Sequence, residues 1–369
     1  MKRYKLIVIF ALTPLFLFLC GCYRGFVPVE NLNIIVGIGD DIDTEGTYPY
    51  SSTMESLVFK GDSQIDSHTS TGNGFTLYTT QNNRQTQSNK EWLLAAEVVY
   101  LVSEDRARLG IKDLMDALIR DDKRNERAFI AISKQPAKDL FSLKPHISSS
   151  ISEEIEGILE FSHNANFFHE NSDIINLLLM NNQQGRKIVI PYIETKNNEI
   201  QVTGLALFKE EKMIKYVSLE EASLINLLRS DGELGYLSVL SNNEEEYIDF
   251  SGRGNVKIKV SKERELLKYD IFITLKGTLT VNSLIDKDKS LSDKNKIGQL
   301  FSEKLEKQLS DEMSKMQNEY KTDWIDLGKY AVAKFGRDSG YESDANFSKA
   351  KIYIHVNTKV LSTGRKVDK

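Results

Sequence analysis

Between Asp293 and Lys321 the sequence carries one unbroken apolar stripe. Ile297, Leu300, Phe301, Leu305, Leu309, Met313, Met316 and Tyr320 recur mostly at steps of three and four. At 3.6 residues per turn that spacing lays the stripe along one side of a helix. Glu303–Lys307 and Asp311–Lys315 are acid-then-base pairs at i,i+4 and belong to the wet side. A helix this long with a single stripe needs an apolar surface of comparable length, and a sheet supplies one. The strands are nearby in sequence. Asn255–Val260 alternates with period two, Tyr269–Val281 alternates through Ile271, Ile273, Leu275, Leu279 and Val281, and Lys351–Val360 alternates through Ile352, Ile354 and Val356. Alternation in the first two predicts an antiparallel sheet with one solvated face.

Upstream, shorter signals follow one another irregularly. Asn31–Ile38 reads as a buried strand closed by a Gly39-Asp40-Asp41 turn, with Tyr50–Phe59 as its partner. Residues 61–89 are polar loops in which Gly74–Thr80 has strand composition. Leu109–Arg120 and Ile174–Met180 have helical apolar faces, and Ser152 before Glu153, Glu154 and Glu156 reads as a capped helix start. Ala128–Ser133 is β-prone, and Ile188–Ile193, holding Pro191, reads as an edge strand. A Lys196–Glu199 turn leads to a hairpin of Ile200–Phe208 and Met213–Val217. A helix over Ser218–Arg229 follows, with Ser218 and Glu221 spaced as a capping box. Trp324 to Gly328 closes the long helix, and a further helix runs from Leu327 to about Arg337. There is no internal repeat. The expected class is α+β: several small domains with mixed or antiparallel sheets flanked by helices, including one long C-terminal amphipathic helix. At roughly 100–200 residues per domain, 369 residues suggest two or three domains. The expected division is 22–195 and 196–369, the latter open to subdomains at about 196–250 and 251–369.

The start of the chain fixes the compartment. Lys2, Arg3 and Lys5 precede an apolar run from Leu6 to Leu19, followed by Leu19-Cys20-Gly21-Cys22. As helix the run covers roughly 21 Å, short of the ~30 Å hydrocarbon core, and Pro14 weakens it further. This is the layout of a secretory signal. Its ending resembles a bacterial lipobox: residues 1–21 as signal peptide, cleavage after Gly21, and Cys22 lipidated. Cys20 fits poorly as the modified residue, because bulky Leu19 would precede it. The competing reading is a signal anchor with both cysteines as apolar filler. With two cysteines in the whole chain, the lipobox reading leaves no thiol for a disulfide, a zinc site or a nucleophile. Acyl chains on Cys22 would hold the protein on the outer face of a cytoplasmic membrane.

The remaining chemistry is sparse. Net charge is −5, which argues against a nucleic-acid partner. His163 and His169 stand six apart, which is not a helical metal-pair spacing. Gly37-Ile38-Gly39 lacks the third glycine of a dinucleotide loop. Asp40, Asp41 and Asp43 do not match a calcium loop, and Glu244-Glu245-Glu246 reads as a solvated cluster. No nucleophile, base and oxyanion donors are singled out. The expectation is a non-enzyme without cofactor or metal, and no catalytic residue is nominated.

Several segments, taken in order, resemble one family. They are Glu30 to Asp40, Ser103 to Ile111, Leu118 to Asp121, Pro191 to Glu194, Gly204 to Lys209 with Lys212, Asp323 to Gly328, and Thr363-Gly364. Together with the lipobox they are similar to the Ger(x)C family, the C-subunit lipoproteins of spore germinant receptors. Two departures mark a divergent member: Tyr23-Arg24 where the family often has Trp-Asp, and Gly-Ile-Gly-Asp in place of Gly-Ile-Asp. The resemblance implies three small mixed α+β domains in a non-enzymatic receptor component. It also implies a place on the outer surface of the spore inner membrane, with polytopic A and B membrane subunits as partners in triggering spore germination by nutrients. No nutrient-contact residues carry over; Cys22 does, as the lipidation site. The alternative is a lipid-anchored solute-binding protein of a transporter, which calls for two similar lobes on parallel βα units. A wall hydrolase would call for paired carboxylates in a cleft.

Overall fold

A computed structural model describes residues 27–28, 31–43, 45–59, 65–121, 123–169, 172–240, 246–284 and 293–363. Gly21 and Cys22 lie outside the described residues, as do Glu244 and Glu245.

The first unit holds β1 (Leu32–Ile42), β2 (Tyr50–Phe59), β3 (Ile65–Gly74), α1 (Leu77–Gln85), β4 (Glu91–Leu93) and β5 (Val99–Ser103). It continues through α2 (Glu104–Leu109), α3 (Lys112–Arg120), β6 (Phe129–Ser133), α4 (Ala137–Phe141), α5 (Ile151–Phe161) and α6 (Ile174–Asn182). It closes with β7 (Val189–Lys196), β8 (Glu199–Lys209) and β9 (Lys212–Ser218). The sheet order is β3-β2-β1-β5-β6-β7-β8-β9, with β4 beside β1. β1, β5, β6 and β7 run parallel in the middle, and antiparallel strands extend both sides. β5 is buried throughout and β6 nearly so, because helices cover both faces. Ala137, Phe141, Ile151 and Ile155 of α4 and α5 pack on Val99, Leu101 and Ala131. Ile111, Leu114 and Leu118 around α3, with Leu177 of α6, pack on Tyr100, Val102 and Ile130.

The mixed sheet agrees with the α+β class, yet its parallel centre has no sequence signature, since strands buried on both faces lose their alternation. Other expectations shift for local reasons. Asp40 and Asp41 lie inside β1 rather than in a turn, both buried. Gly74–Thr80 is a strand end followed by α1, whose Thr76 and Thr79 cap each other reciprocally. The helix expected from Leu109 is two, broken at Gly110, whose φ of +130° suits glycine. The cap of α5 lies two residues before the expected one, with Ser150 accepting from Glu153 N. β7 is interior rather than an edge: its ladder to β6 begins only at Tyr192, past Pro191. Ser218 precedes α7 (Leu219–Arg229) without a side-chain cap bond.

The second unit is a four-stranded sheet in the order β10-β11-β12-β13. β10 (Leu234–Leu240), β11 (Tyr247–Glu263) and β12 (Leu266–Asn282) are antiparallel neighbours. α8 (Lys294–Lys315), α9 (Leu327–Phe335) and α10 (Asp344–Lys349) intervene before β13 (Lys351–Ser362), which joins β12 in parallel. α8 lies across the inner face as its stripe requires. Ile297, Phe301, Leu305, Leu309 and Met313 are buried, and the Phe301 ring meets Phe250 at 5.4 Å. α7 packs between the units: Ile225, Leu227 and Leu228 share one core with Leu205 and Leu207 of β8 and with Ile271 and Ile273 of β12. Position 195/196 falls within the β7–β8 hairpin, and 250/251 within β11.

Candidate functional site

The seam between the two sheets is where chemically distinctive side chains converge. After α8 the chain turns through one π-helical turn, Met316–Tyr320, and then Thr322 to Gly328 runs buried along the seam. Trp324 is fully buried, and its indole Nε1 donates to the Phe208 carbonyl of β8 at 2.8 Å. One side chain of the second unit thus satisfies a backbone group at the rim of the first sheet. Arg229, at the end of α7, donates to the Trp324 carbonyl, to Asp326 at 3.0 Å and to the Lys187 carbonyl at 3.2 Å. Asp326 also accepts from Arg186 Nε at 3.2 Å and from Lys187 N at 2.9 Å. Removing one partner from such a buried ionic group costs about 3–5 kcal/mol. Asp326 adopts φ of 57°, a left-handed conformation that suits a short polar side chain.

Two glycines let the backbones meet. A Cβ on Gly185 would lie 2.3 Å from the Gly328 carbonyl carbon, and one on Gly328 would lie 2.8 Å from Gly185 Cα. Asp323 accepts from Gly328 N at 2.7 Å, while its other carboxyl oxygen has no hydrogen-bond partner among the described residues. Burial first, and Asp326 second, push its pKa up to about 7. Lys187 pairs with Asp344 at 3.0 Å, and Asp344 accepts from Asp323 N at 3.1 Å. Burial lowers the pKa of Lys329, with Arg229 and Arg186 adding to the effect against Asp326.

Beside this joint lies a cleft of about 270 Å³, walled by Ile130, Asp173, Asn176, Arg186, Arg229 and Lys329 among others. That is below the roughly 300–1,000 Å³ of sites for drug-sized ligands. Among the described residues no group of three His, Cys, Asp or Glu side chains is placed to hold a metal.

The other sequence candidates have structural partners. Tyr100 donates its hydroxyl to Asp40. Asp41 accepts from Ala137 N at 2.6 Å and Lys138 N at 3.1 Å, which caps α4. Glu55, buried and not singled out by the sequence, does the same for α5 through Ile151 N at 3.1 Å and Ser152 N at 2.8 Å. Sequence reasoning also missed Arg186 and Arg229. Only the Gly204–Lys209 and Asp323–Gly328 segments signalled the joint, and nothing in them pointed to cations at positions 186 and 229.

Two family models cover nearly the whole chain. "Spore germination protein N-terminal domain" matches residues 25–195, and "Spore germination B3/GerAC like, C-terminal" matches residues 203–364. The chain belongs to the Ger(x)C family. Relatives include spore germination protein GerQC of Bacillus cereus, 20% identical over 99% of each chain. Spore germination protein B3 of Bacillus subtilis (strain 168) is also 20% identical, over 85% of each chain. The crystal structure of the GerBC protein shares the fold, with a TM-score of 0.58 and 17% identity over 88% of this chain and 97% of that one. In this Ger(x)C chain the family-like segments Gly204 to Lys209 and Asp323 to Gly328 meet at the seam, through Trp324 and Phe208.

Proposed function

We infer that the chain is the lipid-anchored C subunit of a nutrient germinant receptor. It acts with polytopic A and B membrane subunits and triggers spore germination through protein contacts, without catalysis. The observation that carries this reading is the end-to-end match to both family models, supported by a seam in which the family-like segments lock the two units together. A subunit of this kind transmits force or position, and a joint closed by Trp324 and the Arg186–Asp326–Arg229 group suits that task. No helix among the described residues is long and apolar enough to cross a membrane. Attachment is assigned, on the lipobox-like Leu19-Cys20-Gly21-Cys22, to lipidated Cys22 after cleavage behind Gly21, on the outer face of the spore inner membrane. The transporter reading calls for two similar lobes, whereas here a mixed sheet of nine strands faces one of four.

The test is fractionation of spores carrying an epitope-tagged chain. The tagged chain should sediment with the inner membrane and, after detergent extraction, bring down two polytopic subunits. The Cys22→Ala variant should leave the membrane fraction or be retained as uncleaved precursor. A chain recovered from the membrane without those subunits, or a Cys22→Ala variant processed and anchored like the parent, contradicts the reading.

A further inference from the structure

The outward face of the second sheet is basic on a chain whose net charge is −5. Its inner face is spent on α8, so the outward positions of β11, β12 and β13 are free of helices. Arg253, Lys257, Lys259, Lys276 and Lys359 are exposed there, and Lys268 is half-buried. Two acids lie among them: Asp270, 3.3 Å from Lys268, and Glu263, 3.0 Å from Lys351. The register makes the arrangement costly. Arg253 stands directly across from Lys276, and Lys276 directly across from Lys359, so one row of three cations crosses three strands. At the other end Lys268 stands across from Lys351, and there each cation has an acid beside it, Asp270 and Glu263. Like charges directly opposite on one sheet face destabilise it, and none of the three cations in that row has an acidic partner among the described residues. The row edges a hollow of about 610 Å³ that also includes Asn255, Lys257 and Phe272. Phe272 and Tyr353 are exposed on the same face. Lys259 Nζ lies 5.2 Å from the Phe272 ring, His355 stacks on that ring at 4.9 Å, and Lys268 Nζ lies 5.1 Å from the Tyr353 ring.

We propose that this face docks flat on an anionic phospholipid surface. Phosphate headgroups would supply the negative charge that the row of Arg253, Lys276 and Lys359 lacks among the described residues. Long lysine stems and half-exposed aromatic rings suit the headgroup layer. A lipid surface fits better than a protein partner of defined shape, because the cations are spread along three strands and carried mostly on flexible lysines. The inference deepens the anchor reading. Lipid on Cys22 would hold the chain at the membrane, and the basic face would set which side of the protein faces it. Each lysine or arginine near an anionic surface raises partitioning roughly fivefold.

The test uses the chain from Tyr23 onward. It carries no leader and no lipid, and it keeps every contact described above. Vesicles of phosphatidylcholine alone and of phosphatidylcholine mixed with phosphatidylglycerol are sedimented with it at about 50 mM and about 500 mM salt, where screening differs strongly. Binding is expected to the anionic vesicles only, and to be lost at the higher salt. Replacing Arg253, Lys276 and Lys359 together by alanine should weaken it by about 100-fold, three cations at roughly fivefold each. The triple variant removes mutual repulsion and loses the exposed bond from Arg253 to the Gly232 carbonyl at 2.7 Å. Its thermal melt is recorded beside the parent's, so that a loss of binding in a variant that melts like the parent is not a loss of fold. Equal binding to both vesicle types, no binding to either, or a well-folded triple variant that binds like the parent would overturn the proposal. None of these results bears on Cys22, which is absent from the tested chain.

Discussion

Asp323 offers a sharp test of the joint. Its carboxyl is buried among Asp326, Asp344 and the backbone of Gly328, and its pKa is raised from 3.8 to about 7. In the unfolded chain it ionises near the ordinary value. Between about pH 4 and pH 7 the folded chain therefore holds a proton that the unfolded chain has lost, so stability falls as pH rises through that window and levels off above it. At about 1.4 kcal/mol per pKa unit the full effect is roughly 4 kcal/mol, of which about 3 kcal/mol lies between pH 5 and pH 8. The perturbation is Asp323→Asn. The amide oxygen still accepts from Gly328 N, now at 2.7 Å from the carboxylate, and the group no longer titrates. Urea denaturation of both chains at pH 5, 6, 7 and 8 isolates the effect, because every other group contributes equally to the pair. The variant should gain on the parent by about 3 kcal/mol from pH 5 to pH 8. Parallel stability curves for the two chains would refute the argument that Asp323 is protonated in the folded joint.

Other consequences of the seam are equally measurable. Trp324→Phe removes the bond to the Phe208 carbonyl and should cost about 1–3 kcal/mol in urea denaturation, whereas Trp324→Ala should cost about 3–5 kcal/mol. Gly328→Ala places a Cβ 2.8 Å from Gly185 Cα and 3.0 Å from the Glu342 carbonyl oxygen, and a loss of about 1–3 kcal/mol is expected in the same assay. Gly157→Ala in α5 is its control. Nothing lies within 4 Å of that Cβ, so the substitution should raise stability by about 0.5–1 kcal/mol through helix propensity. Arg229→Met leaves Asp326 with one fewer buried partner and should cost about 3–5 kcal/mol, read as a lower thermal midpoint.

How much of this was legible depended on solvent. α8, β11, β12 and β13 each have one wet side, so their apolar residues recur with a visible period, and the stripe from Ile297 to Met316 is the one that packs. β5 and β6 are covered on both faces, so Val99–Ser103 and Phe129–Ser133 show apolar runs without direction, and the parallel pairing between them left no trace. Acids after glycine in Gly39-Asp40-Asp41 looked like a turn because the groups that satisfy them are remote: Ala137 N, which reaches Asp41, is 96 residues away. The joint was legible only in part. Trp324 to Gly328 stood out as a block, but Arg229 sits 97 residues from Asp326, a distance at which no local spacing rule operates. Resemblance to a family supplied what periodicity lacked, since it ordered the same segments that the seam brings together.

The central claim is that this chain works in a nutrient germinant receptor. Deleting its gene and exposing purified spores to a nutrient panel, and separately to exogenous calcium dipicolinate, tests it most directly. Loss of the response to at least one nutrient class, with dipicolinate-triggered germination intact, is the expected result. An unchanged response to every nutrient, with the protein absent from spore inner-membrane fractions, would contradict it.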